Sequence, residues 1–309
     1  MKQFADAGPD RYRGCLLGLA LGDALGAPHE GGPLERALWR LIGRTRDGRM
    51  RWTDDTQMSL DLAESILACR GLNQDDLARR FAASYHWSRG YGPGAARVLR
   101  RIRGGMAWHA ASRSVYRDGS FGNGAAMRAP LLGLLHAGEP RELQRAAVLS
   151  GEITHAHPQA LVGAALVARA TALALTAPDS ASFIDRLRSG CTDAAYMARL
   201  DQASAWLAQD MPVSPRDIRR TLGNGVAAIE SCVTAVYLAA RSFHEPYENL
   251  IDLACALGGD VDSIAAMAGA IWGARRGGTA IPAHLLDRLE QRDRLEAMAR
   301  QLHAYRHAH

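Results

Sequence analysis

Two short acidic segments could do chemistry: Thr53-Asp54-Asp55 and Asp260-Val261-Asp262-Ser263, about two hundred residues apart in a 309-residue chain. Each sets hydroxyl and carboxylate oxygens directly before a helical pattern. Brought together they form one oxygen cage, and an all-oxygen donor set without histidine or cysteine suits Mg2+ or Mn2+ better than Zn2+. The alternative is that each aspartate merely caps its helix, where a negative charge near the positive end of the helix dipole is worth about 0.3–1 kcal/mol. Capping needs one acid per helix, however. Asp54 beside Asp55, and Asp260 near Asp262, crowd like charges that repel unless a cation neutralises them.

The elements that must hold these acids read as helices. Alternating β-type runs are scarce, whereas Ala, Leu and Arg recur at helical spacing throughout. Met58, Leu62 and Ile66, four apart, predict a helix entered through Thr53-Asp54-Asp55-Thr56. Leu250, Leu253 and Leu257 predict another that stops at Gly258-Gly259, and the next begins at once with the second acidic cluster. Gly269 and Gly273 fall inside that last helix, where glycine is costly unless another backbone comes close, which predicts a central position. Val226, Ile229, Val233 and Val236 mark a structural amphipathic helix, and residues 282–309 predict one or two surface helices with a frayed tail.

With 48% hydrophobic and 22% charged residues, the chain has apolar surface for one large core, and no composition break divides residues 1–309. A single domain is expected. The net charge of +5 and pI near 9.1 would attract a phosphate-bearing ligand but are too small and dispersed for nucleic acid, which is not expected as a partner. Cys15, Cys69, Cys191, Cys232 and Cys255 lie too far apart for C-x-x-C chemistry and read as reduced core thiols. The start Met-Lys-Gln-Phe-Ala-Asp turns polar immediately, so a cytoplasmic protein without a secretory signal is expected. The apolar run 160–177 contains Arg169 and suits a buried helix, so no membrane segment is predicted.

Other motifs are weaker. His155 and His157 have no third nitrogen or sulfur ligand at a zinc spacing. His303, His307 and His309 read as a solvated tail. Arg97, Arg100, Arg101 and Arg103, with Val98, Leu99 and Ile102 between them, read as the solvated face of an amphipathic helix rather than a polyanion site.

Five motifs, in order, resemble the ADP-ribosylglycohydrolase family. They are the segment 13–26 with Gly22-Asp23-Ala24-Leu25-Gly26 and the following Glu30; Thr53-Asp54-Asp55-Thr56; Gly119-Ser120-Phe121-Gly122-Asn123-Gly124-Ala125-Ala126-Met127-Arg128; Thr154-His155-Ala156-His157-Pro158; and Gly259-Asp260-Val261-Asp262-Ser263. The resemblance runs through nearly the whole chain. It implies an all-α, compact, single-domain orthogonal helical bundle with two Mg2+ or Mn2+ ions at the bottom of an ADP-ribose cleft. Thr53, Asp54, Asp55, Asp260, Asp262 and Ser263 would be the ligands, Ser263 standing where many members have threonine. Glu30 would flank the cleft and approach the metals, and His155 would contact the diphosphate or distal ribose. The glycines around Ser120 and Asn123 would let backbone N–H groups approach the diphosphate. Phe121 could stack on adenine or pack beneath the loop.

The activity this implies is hydrolysis of the bond between ADP-ribose and an acceptor, with Glu30 as base and Asp55 among the alternatives. Many arginine-directed bacterial members carry an acid in the segment matching Trp87 to Gly94, where this chain has neutral Gly90-Tyr91-Gly92-Pro93-Gly94. That tilts the acceptor towards serine or poly(ADP-ribose), with Gly92 as a further cleft contact. The expected partner is an ADP-ribosylated protein or ADP-ribose conjugate, and a monomer is expected. Two other classes are a non-enzymatic ADP-ribose binder or immunity-type partner, and a metal-dependent pyrophosphatase that would release AMP.

Overall fold

The computed structural model describes residues 7–209 and 212–308. Among them the architecture is all-α: seventeen α-helices, short 3-10 turns, and only isolated β-bridges. Two helices form its axis. Helix Val261–Arg276 is buried at every position from Val261 to Ala274, and helix Pro9–Gly26 is buried from Gly14 to Ala24. A helix apolar all round belongs in the centre.

The two run antiparallel in backbone contact. A Cβ on Gly14 would lie 2.2 Å from the carbonyl oxygen of Gly273, and one on Gly22 2.2 Å from that of Ala265. No side chain fits between them. Glycine every fourth residue on one helix therefore meets small residues every fourth on the other. The Tyr247 hydroxyl donates to the Gly18 carbonyl at 2.6 Å, pinning helix Tyr247–Leu257 to the same seam.

Around this axis pack helices Asp54–Cys69, Pro158–Ala174, Ala228–Arg241 and Arg292–Ala308. The last lays Leu295, Met298, Ala299 and Leu302 onto the core, and its His303 meets Tyr12 edge-on at 5.3 Å. His309 lies outside the described residues. The basic run forms helix Pro93–Arg103, with Val98 and Leu99 buried.

Two sequence readings need correction. Val226 is 62% exposed and precedes helix Ala228–Arg241, because the 226–228 segment pairs with 121–123: Asn123 N–H donates to the Val226 carbonyl and Ala228 N–H to that of Phe121. All five cysteines are free, but only Cys15 and Cys232 are buried; Cys69 is exposed, and Cys191, between helices Ser180–Arg188 and Ala194–Ala208, and Cys255, in helix Tyr247–Leu257, are half-buried.

Candidate metal centre

The antiparallel seam delivers the C-terminal end of helix Pro9–Gly26 to the first turn of helix Val261–Arg276, where a Cβ on Gly26 would lie 2.6 Å from the Asp262 Cα. A 3-10 turn, Ala27–His29, then carries the chain to Glu30. As a result, carboxylate oxygens of Glu30, Asp260 and Asp262 lie within 4.8 Å of one another. The Ser263 hydroxyl donates to Asp55 Oδ1 at 3.4 Å, which brings in the first turn of helix Asp54–Cys69. Asp55 Oδ2 is buried with no hydrogen-bond partner.

Capping does not account for these acids. The cap of helix Asp54–Cys69 is the Thr53 hydroxyl, which accepts from Asp55 N–H at 3.3 Å. Asp260 is the N-cap residue of its helix but makes no side-chain cap bond. Burial pushes Asp54, Asp55 and Asp262 well above the usual carboxylate range, and the neighbouring carboxylates, Asp23, Glu30 and Asp260 among them, push in the same direction. An orphaned buried oxygen among crowded carboxylates, in an oxygen-only donor set, fits a hard divalent cation. The cluster could hold a metal ion.

Asp23, fully buried, fixes the cluster's second wall. Its carboxylate accepts from Thr53 N–H at 2.8 Å, Thr56 N–H at 3.0 Å and the Thr56 hydroxyl at 2.6 Å. Burial still raises it to about 6 against those bonds. The chain entering Thr53 is held from behind: Glu290, 4% exposed, accepts from Trp52 N–H at 2.8 Å and pairs with Arg89, whose guanidinium lies 3.8 Å over the Trp52 ring. Gly90 borders Asp54, a Cβ there falling 3.6 Å from Asp54 Oδ1, and the exposed Gly92 opens helix Pro93–Arg103.

The glycine-rich loop joins the centre from the other side. Asn123 donates from Nδ2 to Asp260 Oδ2 at 2.5 Å and to the Ser231 hydroxyl at 3.1 Å. Gly119 has φ +84°, and a Cβ on it would strike the Ala156 and His157 backbone; Ser120 Oγ accepts from Gly122 N–H at 3.3 Å. Phe121 is 52% exposed beside the His157 ring, so it does not pack beneath the loop. Gly124 leaves space for His155, whose Cε1 would lie 2.3 Å from an added Cβ.

Arg128, fully buried, ties this loop to His155. It donates to the Gly124 carbonyl, to the Ser150 carbonyl at 2.7 Å and to the Thr154 hydroxyl at 3.1 Å. Burial, with Arg128 adding to it, pushes His155 down to about 3, so its ring is neutral at physiological pH. The Thr154 oxygen already accepts from Arg128 and lies 2.8 Å from His155 Nδ1. The other ring nitrogen, Nε2, lies beside Gly122 and Gly124.

A model of the ADP-ribosylglycohydrolase family matches residues 5–309. The chain belongs to the ADP-ribosylglycohydrolase family. The ADP-ribosylhydrolase ARH3 of Mus musculus is 32% identical to it over 339 residues, covering 95% of this chain and 91% of the relative. That of Homo sapiens is 31% identical, covering 95% and 93%. Among solved structures, an ADP-ribosylglycohydrolase-related protein complex superimposes with a TM-score of 0.72 at 29% identity, covering 96% of this chain and 98% of the other. The family and these relatives support hydrolysis of ADP-ribosyl–acceptor bonds in general.

The two acidic segments read from the sequence do meet, with Glu30 between them. Asp23, Arg128, Glu290 and Arg89 were given no part. Asp23 and Arg128 stand inside the quoted motifs, where an acid and a base flanked by small apolar residues signalled burial. Nothing local to Arg89 or Glu290 marks their pairing across two hundred residues.

Proposed function

We propose that this chain, as one domain over residues 1–309, hydrolyses the glycosidic bond between ADP-ribose and a protein side chain and releases ADP-ribose, using two Mg2+ or Mn2+ ions. The convergence of Glu30, Asp260 and Asp262, with Asp55 tied in through Ser263 and its Oδ2 buried without a partner, carries this reading. Thr53, Asp54, Asp55, Asp260, Asp262 and Ser263 would hold the ions, which when bound supply positive charge to fix ribose hydroxyls and polarise the glycosidic bond.

The chain's own residues do the rest. Glu30, half-buried at the rim of the cluster, takes the proton of the attacking water or steadies positive charge at the anomeric carbon, with Asp55 as the second candidate. The neutral His155 donates from Nε2 to a diphosphate or ribose oxygen. Gly119, Ser120, Gly122, Asn123 and Gly124 let the backbone approach the diphosphate, and the exposed Phe121 stacks on adenine. Asn123 and Asp23 hold the cluster's walls while charge develops.

A serine or poly(ADP-ribose) linkage is favoured over arginine. The segment bordering Asp54 is the neutral Gly90-Tyr91-Gly92, which offers no carboxylate to a guanidinium leaving group. The protein would act as a cytoplasmic monomer on ADP-ribosylated proteins or ADP-ribose conjugates. Among the described residues no helix is long and apolar enough to cross a membrane.

The test is incubation with peptides ADP-ribosylated on serine or arginine, in Mg2+, Mn2+ or EDTA, with products identified by mass spectrometry. Metal-dependent release of intact ADP-ribose from the serine peptide is expected. Release of AMP, or ADP-ribose binding without turnover, would replace this reading with a pyrophosphatase or a binding protein.

A further inference from the structure

The apolar run 160–177 carries one charge, Arg169, for which the cleft has no use. In helix Pro158–Ala174, Val162, Ala165, Arg169 and Ala172 succeed one another at intervals of three, four and three residues, so they share one face. That face lines an open cavity of about 300 Å3, lined on its other sides by residues of helices Pro140–Glu152 and Ser180–Arg188. Leu143, Leu166, Leu173 and Leu187 make its walls apolar, and the alanines on either side of Arg169 leave it open.

Arg169 is half-buried here and, among the described residues, makes one side-chain hydrogen bond, from Nη2 to the Arg186 carbonyl at 2.7 Å, and no ion pair. Its guanidinium lies over Gly190, where a Cβ would fall 1.0 Å from Nη1, so the glycine makes room for it. Beside it in the cavity lining stand Cys191, half-buried, and Arg186, a second positive charge. Nearby acids are already engaged: Asp185 pairs with Arg188 at 3.2 Å, Glu139 with Arg306 at 2.6 Å, and Asp193 accepts from Ala195 and Tyr196 N–H. A desolvated guanidinium is stabilised by a planar anion that can accept two parallel N–H bonds. At roughly 30 Å3 per water-sized group, the cavity holds about ten non-hydrogen atoms.

We infer that this cavity is a second binding site, remote from the metal centre, for an amphipathic carboxylate whose head pairs with Arg169 and whose aliphatic chain fills the Leu143–Leu187 end. Size and charge together select a medium-chain carboxylic acid: a bare anion leaves the apolar walls wet, and an alcohol of the same length leaves the guanidinium unpaired.

Titration calorimetry of the whole protein against octanoate, octanol and acetate tests this without reference to hydrolase activity. Octanoate should bind about tenfold or more tightly than either of the others, and Arg169→Met, which keeps an apolar stem and loses the charge, should weaken octanoate by about tenfold or more. Ala172→Phe fills the space with the charge intact and should also abolish binding, so the result does not depend on one variant folding. No heat with octanoate at millimolar concentration, octanol binding as well as octanoate, or undiminished binding to either folded variant overturns the inference.

Discussion

Gly18 and Gly269 meet backbone to backbone: a Cβ on Gly18 would lie 2.2 Å from the Gly269 carbonyl oxygen, and one on Gly269 2.3 Å from that of Gly18. Neither neighbour is a side chain that could swing aside. Gly269→Ala must push two central helices apart, and overpacking of this kind costs about 3 kcal/mol or more when backbone is the obstacle. Because Glu30 and Asp262 sit at the end of the same seam, divalent-cation affinity should also fall, by about tenfold. Thermal melts and metal titration of the variant check both; an unchanged cation affinity in a destabilised variant would uncouple the seam from the site.

Asp55→Asn should have opposite effects with and without metal. The substitution removes one charge from a cluster that burial and mutual repulsion hold well above the usual carboxylate range. In EDTA the variant should therefore melt at or above the wild-type temperature, while Mg2+ or Mn2+ stabilises only the wild type, by about 2.7 kcal/mol at a hundredfold excess over Kd. A metal-free variant that melts well below wild type would show Asp55 to be a structural acid.

Stability of the metal-free protein should fall with rising pH. Asp23 is raised to about 6 and its neighbours are raised too, so the folded state binds more protons than the unfolded chain above the ordinary carboxylate range. The contribution is fully present below about pH 4, the range of an unperturbed Asp, and is lost as pH rises through 6. Added divalent cation should flatten the profile, and melting curves across pH in EDTA and in Mg2+ measure this.

Asp61 isolates the same effect away from the site. Burial raises it to about 7, although Ser84 and Gln57 both donate to its carboxylate. Asp61→Asn should stabilise the protein at pH 8.5, by about 2 kcal/mol, and make little difference at pH 3.5, where the acid is protonated in the folded and the unfolded chain alike. Denaturant midpoints at the two pH values decide it; parallel shifts would place Asp61 outside the titrating set.

Glu30→Gln should lower turnover by about 10^2 to 10^4-fold, the usual worth of general acid–base help, with the melting temperature in EDTA unchanged or raised. Single-turnover assays on a serine-linked peptide read this directly. Turnover within a few-fold of wild type moves the base to Asp55.

The sequence disclosed what is local. Thr53-Asp54-Asp55 opens a helix, Gly258-Gly259 closes one, and Gly269 with Gly273 announces a close backbone, all from patterns within a few turns. It did not disclose partnerships across the chain. The acids of Asp23 and Glu290 accept backbone N–H groups thirty and more than two hundred residues away, and neither spacing nor periodicity encodes such a meeting. Val226 was misplaced for the same reason: its hydrophobic spacing fits the helix, but pairing with the 121–123 loop claims it.

The seam between helices Pro9–Gly26 and Val261–Arg276 also sets when the protein can exist during its own synthesis. An emerging chain carries Asp23, Glu30, Asp54 and Asp55 early, but the acids that complete the cluster, and the surface that the glycine face of the first helix must cover, appear only over residues 260–276. Until then the first helix lacks the partner that covers its small-residue stripe, which lies open to chaperones and proteases, and no fragment ending before that helix can assemble the centre.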